Sequence, residues 1–138
     1  MTRLAWWEVL ALLIGWLLGQ QLAWGQEGLA TYYTTASCQQ EGTSGVWTAN
    51  GEAYDELDYT AALPHRAFGG QYRVCAIGTG GRCVVVRHND HGPGRAARRR
   101  GVVVDLTPAA YDAIGGKRGV TRRGVAWGEV AVTVERIQ

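Results

Sequence analysis

The sequence predicts an all-β domain, a small β-barrel with one short accessory helix. Glycine contributes 20 of the 138 residues and proline only 3, a balance that supplies tight turns without a proline-rich linker. Strand-forming patterns recur along the chain, whereas helical signals are confined to one short segment. No repeat, linker or second domain is visible, so the pattern favours one compact barrel.

The composition limits the classes of partner. Apolar residues make up 46% of the chain and charged residues 19%, which excludes a disordered low-complexity protein. The formal net charge is only +2, so the overall field of the protein does not require nucleic acid as a partner, and we expect none.

The first 25 residues predict a secretory signal peptide. An apolar run covers residues 9–19, and small residues precede a cleavage site after Gly25. The alternative is a retained membrane anchor, but the run is far shorter than the roughly 18 to 20 residues that a span requires. Glu8 is unusual in a signal peptide. We expect a mature domain over residues 26–138, secreted or in the periplasm or cell wall, with no stable membrane span.

The first half of the mature chain predicts a strand, a loop and a hairpin. Residues 29–33 are strand-prone, and the polar residues 39–45 indicate a loop. Residues 71–75 and 83–87 alternate as strands on either side of a glycine-rich turn.

Three cysteines outside the cytoplasm allow one disulfide in three possible pairings. The hairpin favours a bond between Cys75 and Cys83, which leaves Cys38 as a thiol. A zinc site is the rival interpretation, but the chain has no Cys-x-x-Cys pair.

The second half predicts two strands and the single helix. Residues 102–106 form an apolar run typical of a buried strand, and valines alternate over residues 130–135 in a half-buried one. Between them, Thr107 and Pro108 suit a helix start, and the body over residues 109–114 ends at a glycine pair.

Two segments contain the types of side chain that carbohydrate-active proteins use. Residues 48–55 include Asn50, Glu52 and Tyr54, and residues 86–93 include Asn89 and Asp90. Carboxyl groups protonate a glycosidic oxygen or stabilise an oxocarbenium-like transition state, amides bind hydroxyls, and aromatic rings stack on sugar faces. The alternative is ordinary turn structure, an Asx-turn in one segment and a hairpin turn in the other.

These segments resemble the barrel domain of rare lipoprotein A. The resemblance is carried, in order and spacing, by Ala-Thr-Tyr-Tyr at 30–33, Thr-Ala-Asn-Gly-Glu-x-Tyr-Asp at 48–55, Thr-Ala-Ala at 60–62, Val-x-x-Asn-Asp-x-Gly-Pro at 86–93 and Val-Asp-Leu-Thr-Pro-Ala-Ala at 104–110. It implies a six-stranded double-psi β-barrel related to barwin and the expansins, with lytic transglycosylase activity on peptidoglycan glycan strands. It also implies that Asp90 is the catalytic aspartate and Glu52 its accompanying glutamate.

Further residues are expected to bind substrate. The family pattern has a histidine after Thr-Ala-Ala, where this chain has Leu63, and the nearest histidine is His65. The residues that we expect to contact the glycan are Tyr33, Asn50, Tyr54, His65 and Asn89.

The sequence favours lytic cleavage over inverting hydrolysis. Inverting hydrolysis needs a second carboxylate to activate water. Related endoglucanases place that base after the first-strand aromatic pair, but here Thr34 and Thr35 follow Tyr33. Lytic cleavage requires one acid/base, which we assign to Asp90, while Glu52 orients it, raises its pKa or stabilises the developing cation.

An arginine run lies beside the Asp90 segment. It comprises Arg95, Arg98, Arg99 and Arg100. Guanidinium groups suit anionic wall polymers, and a solvated loop is the alternative.

No cofactor is expected. A metal site formed by His88, Asp90 and His91 is disfavoured because successive strand residues point to opposite faces and a third strong ligand is not evident.

Two other functions use the same barrel. One is glycan binding without cleavage, as in expansins, and the other is a barwin-like secreted interaction or inhibitor module. Carboxyl groups at both Asp90 and Glu52 favour an enzyme over these alternatives.

Overall fold

The computed structural model describes residues 5–6, 25–78, 80–123 and 125–138. The predicted signal peptide lies outside the described residues except for residues 5–6 and 25. None of the helices in the described ranges combines the length and the apolar character that a membrane span requires.

Six strands close into a barrel, as the family resemblance implies. Their bounds are β1 Gln26–Tyr32, β2 Thr60–Leu63, β3 Gln71–Ala76, β4 Cys83–His91, β5 Val102–Leu106 and β8 Val130–Arg136. Around the barrel these strands follow the order β1, β5, β2, β4, β3, β8, and β8 pairs with β1 to close it. A separate hairpin joins β6 Gly119–Val120 to β7 Ala126–Trp127.

The barrel mixes parallel and antiparallel pairs. Strand β1 runs parallel to β5, and β2 runs parallel to β4, whereas the other neighbours are antiparallel. The interior is filled by small and branched side chains because a six-stranded barrel leaves little space. Residues with no more than 1% exposure in this core include Ala30, Ala61, Val74, Val86, Val104 and Val132.

The described residues contain three short helices where the sequence predicted one. The predicted helix is present as Pro108–Ala113, here named α3. Helix α1 covers Thr35–Gln40, so the loop predicted for residues 39–45 begins later than expected. Helix α2 covers Arg95–Arg99, within the arginine run. Both unpredicted helices are too short for a periodic pattern to reveal them.

Side-chain capping explains where α1 begins but not where α3 begins. A capping box starts α1, because the Thr34 hydroxyl accepts from the Ser37 backbone N–H at 3.0 Å and the Ser37 hydroxyl accepts from the Thr34 N–H at 2.8 Å. Thr107 occupies the N-cap position of α3, but its hydroxyl donates to the Asp58 carbonyl instead of capping the helix. The predicted cap residue therefore ties α3 to the chain before β2.

The predicted disulfide is confirmed. Cys75 and Cys83 are register partners on β3 and β4, their Cα atoms are 4.0 Å apart, and their sulfurs are bonded. Cys38 is a free, half-buried thiol.

We expect the disulfide to stabilise the barrel measurably. Its loop spans a sequence separation of 8 residues, so chain entropy predicts that a Cys75→Ser, Cys83→Ser variant loses about 2.5 kcal/mol of unfolding free energy. The melting temperature should fall by roughly 10 °C in a thermal unfolding experiment. A Cys38→Ser protein, as control, should keep the melting temperature and the reductant sensitivity of the wild type. A wild-type melting curve unchanged by reductant would contradict this expectation.

Candidate active site

A groove of about 300 Å³ opens between the end of β4 and the segment that follows α1. It is lined by aromatic, small and acidic residues. The lining includes Tyr33, Glu41, Trp47, Ala49, Tyr54, Ala62, Asp90, Pro93, Gly94 and Asp105.

A β-bulge turns Asp90 towards this groove. Along β4, Ala61 pairs with His88 and Ala62 pairs with Asp90, so Asn89 is an extra residue in the ladder. Both His88 and Asn89 are buried as a result, and the alternation of the strand breaks at Asp90, which is half-buried. Bulges of this kind re-aim a side chain beside a functional site.

Three donors hold the Asp90 carboxylate. The Tyr33 hydroxyl donates to Oδ2 at 3.0 Å, and the backbone N–H groups of Ala49 and His91 each donate to Oδ1 at 2.9 Å. Burial and the neighbouring Asp90 charge raise the pKa of Tyr33, so its phenol stays protonated and remains a donor. Asp90 is therefore fixed in the groove as a hydrogen-bond acceptor.

Asp105 is a second carboxyl group in the groove, which the sequence analysis missed. It lies on β5, and its Oδ1 accepts from the Thr31 hydroxyl at 2.9 Å. Burial raises the pKa of Asp105 to about 7, and the charges of Glu41 and Asp90 act in the same direction. Asp105 can therefore hold a proton near neutral pH. The available signal was a carboxylate within an otherwise apolar strand.

One lateral row of residues brings the two aspartates together. Thr31 is the register partner of Asp105, Asp105 of Ala62, and Ala62 of Asp90. Neighbouring strands lie about 4.8 Å apart, so the Cα atoms of the two aspartates are separated by no more than about 10 Å. The small side chain of Ala62 lies between them in this row, and all three residues line the groove.

Aromatic rings form one wall of the groove. Tyr33 and Tyr54 stack with ring centroids 4.8 Å apart, and the Tyr54 hydroxyl donates to the Tyr33 carbonyl. Trp47 lines the groove with 65% of its surface exposed. An exposed indole beside polar groups suits stacking on a sugar ring. Tyr33 and Tyr54 were predicted to bind substrate, whereas Trp47 was not.

Glu52 is not among the residues that line the groove, and its carboxylate accepts a network of hydrogen bonds. Arg87 donates to both of its oxygens, at 2.8 and 3.4 Å, and the amides of Asn50 and Asn89 each donate at 3.0 Å. These hydrogen bonds lower the pKa of Glu52 to about 2, so it is ionised at neutral pH. Among the described residues, no hydrogen bond joins Glu52 to Asp90.

The network fixes the loop that contacts Asp90. The Glu52 carbonyl accepts from the Thr48 N–H at 2.9 Å, and the Asn50 N–H donates to the Asn89 carbonyl at 3.1 Å. Ala49, between them in the chain, then donates to Asp90. This arrangement supports a positioning role for Glu52, in which it acts on Asp90 through the loop.

The remaining predicted residues do not line the groove. Asn50 and Asn89 use their amides in the Glu52 network, and Asn89 is buried with no partner for Oδ1 within the described residues. His65 lies elsewhere, with Nε2 3.3 Å from the Tyr72 hydroxyl and its ring against His88. The structure therefore brings Tyr33, Tyr54 and Asp90 together and leaves Asn50, Asn89 and His65 outside the groove.

The histidine next to the bulge faces the barrel interior. His88 is fully buried, and its ring nitrogens approach the carbonyl oxygens of Ala67 and Asp90 at 3.2 and 2.9 Å. Burial lowers the pKa of His88. Across the described ranges, no three His, Cys, Asp or Glu side chains converge as metal ligands.

Comparison with known proteins identifies the family to which the chain belongs. The model of the lytic transglycolase family, whose fold is a double-psi β-barrel, matches residues 25–130. The chain belongs to this family. No curated protein matches the sequence. Family membership and the disulfide indicate a cell-wall-active domain with an extracytoplasmic location.

We expect Asp105 to reduce stability as the pH rises. Because its folded-state pKa is about 7 and its reference value is 3.8, the folded state holds the proton more tightly than the unfolded state. The cost of ionisation therefore develops between about pH 4 and pH 7. An Asp105→Asn protein should gain up to about 3 kcal/mol over wild type at pH 8 and little at pH 4, measured by urea unfolding.

The matched control for this measurement is Asp112→Asn. Asp112 is an exposed residue of α3 that forms an ion pair with Arg118. Its substitution should give no gain that grows with pH. Parallel stability curves for the wild type and Asp105→Asn from pH 4 to pH 8 would show that Asp105 is not held in its protonated form.

Proposed function

We propose that this domain is a lytic transglycosylase that cleaves peptidoglycan glycan strands between the carboxyl groups of Asp90 and Asp105. The observation that carries the proposal is the row from Asp105 through Ala62 to Asp90 across three adjacent strands. Two carboxyl groups line one groove whose wall is aromatic, and these are the groups that glycosidic cleavage requires. Membership of the lytic transglycolase family supports the same reaction.

The two aspartates divide the proton transfers. Asp105, whose raised pKa lets it hold a proton near neutral pH, gives that proton to the glycosidic oxygen as the bond from that oxygen to the muramic acid anomeric carbon breaks. Asp90, held by three donors as an acceptor, takes the proton from the primary hydroxyl of the same muramic acid. That hydroxyl oxygen then bonds to the anomeric carbon and closes an anhydro ring. Asp90 was predicted to perform both transfers alone, and Asp105 now shares them.

Hydrolysis with inversion is the second candidate. The observation that favours it is the second carboxyl group, since inverting enzymes use one carboxyl as acid and another to activate water. The two reactions break the same bond and differ in whether water or the sugar's own hydroxyl attacks.

Substitution of each aspartate tests the proposal. Asp90→Asn and Asp105→Asn each keep the side-chain shape and remove a proton carrier, so each should lower the release of soluble fragments from purified sacculi by about a hundredfold or more. Both proteins should still bind sacculi. Asp112→Asn is the control, because its side chain lies on α3 in an exposed ion pair.

Three results would count against the proposal. Undiminished release by Asp90→Asn or by Asp105→Asn would remove that residue from the reaction. Wild-type protein that binds sacculi and releases nothing would favour the expansin-like binding function. Wild-type protein that neither binds nor cuts sacculi would favour a barwin-like interaction module.

A further inference from the structure

The groove continues past Asp105 into a second cavity of about 490 Å³. Both cavities share the same central lining, formed by Tyr33, Glu41, Pro93, Gly94 and Asp105. Trp47 lines the first cavity and not the second, whereas Arg95 and Arg100 line the second and not the first. A ligand that crosses the aspartates from the aromatic end therefore meets two guanidinium groups.

The structure divides the arginine run into two pairs. Arg95 and Arg100 line the second cavity, while Arg98 and Arg99 on the same helix do not. Arg95 has no side-chain hydrogen bond or ion pair to any residue that the structure describes. Within the described part of the chain, the Arg100 side chain forms one ion pair, from a terminal nitrogen to Glu129 at 3.3 Å, and it is 57% exposed. Both guanidinium groups have donors to offer to a ligand.

The centre of the groove is acidic and would repel an anionic ligand. Glu41, Asp90 and Asp105 all line it. Muramic acid without a stem peptide carries a free carboxylate on its lactyl group, and where a stem peptide occupies that group as an amide, the peptide carries carboxylates of its own. An anionic glycan strand therefore needs a compensating positive charge within reach of the aspartates. A guanidinium group is the side chain best matched to a carboxylate, because it can donate two parallel hydrogen bonds.

We infer that Arg95 and Arg100 form a subsite for a carboxylate carried by the glycan strand. The inference rests on the proposed function in one respect, that the strand lies in the groove across Asp90 and Asp105. The subsite gives the domain a reason to prefer muramic-acid-containing strands over a neutral polymer of N-acetylglucosamine, which has the same backbone and no carboxylate.

Binding measurements test the subsite without relying on cleavage. All variants are made in the Asp90→Asn protein, so that no strand is cut during the experiment. The ligands are peptide-free glycan strands with a free lactyl carboxylate, peptide-bearing strands, and N-acetylglucosamine oligosaccharides of matched length. An added Arg95→Gln, Arg100→Gln pair should weaken binding of carboxylate-bearing strands about tenfold or more at low salt. Binding of the neutral oligosaccharide should not change.

The matched control is the Arg98→Gln, Arg99→Gln pair. It removes the same charge from the same helix and should leave all three affinities unchanged. A loss confined to peptide-free strands assigns the lactyl carboxylate as the ligand, and a loss confined to peptide-bearing strands assigns a stem-peptide carboxylate. Either result supports the subsite.

Other outcomes would overturn the inference. Equal losses in the two arginine pairs would mean that only the general surface charge matters. A loss that includes the neutral oligosaccharide would give Arg95 and Arg100 a structural role, and unchanged affinities would leave them as solvated surface. These results are independent of the proposed function, because a wild-type protein can release fragments from sacculi whether or not the subsite exists.

Discussion

The hydrogen-bonded register of strand β2 is the constraint on which the candidate site depends. Its four residues are buried, and Ala62 pairs with Asp90 on one side and with Asp105 on the other. The two aspartates are 15 positions apart in the chain, yet the ladder sets them on either side of one methyl group. A slip of one residue in either pairing would turn one side chain to the opposite face.

The rest of the site gives the carboxyl groups of these two aspartates different hydrogen bonding and different protonation. Asp90 is held by a tyrosine hydroxyl and two backbone N–H groups, and the Glu52 network fixes the loop that supplies one of them. Asp105 has one side-chain donor, Thr31, and burial favours its protonated form. Neighbouring carboxyl groups with different environments are a common arrangement for separating acid from base. Keeping Asp105 in this environment costs stability that grows from about pH 4 and is complete above pH 7, and such a cost is usual for functional groups placed in a packed fold.

Much of the fold could be predicted because its signals are local. The alternation over residues 71–75 and 83–87 indicated the hairpin and the bond between Cys75 and Cys83, both of which the structure contains. Helices α1 and α2 could not be predicted in this way, because they span 6 and 5 residues and bury almost no apolar face. The capping box at Thr34 uses Ser37 in place of the usual glutamate or glutamine, so it too was inconspicuous.

The site was predicted only in part because its geometry is non-local. Motif content identified Asp90 and Tyr33, which the structure joins by a hydrogen bond. The motifs could not reveal that Arg87 and Asn89 donate hydrogen bonds to the Glu52 carboxylate, or that β2 brings Asp105 beside Asp90. Product analysis after digestion of purified sacculi in heavy-oxygen water distinguishes lytic cleavage from hydrolysis. We expect anhydro-muramic acid ends without the heavy isotope. Labelled reducing ends would contradict the proposed lytic reaction, because they would show that water, and not the sugar's own hydroxyl, attacks between the two aspartates.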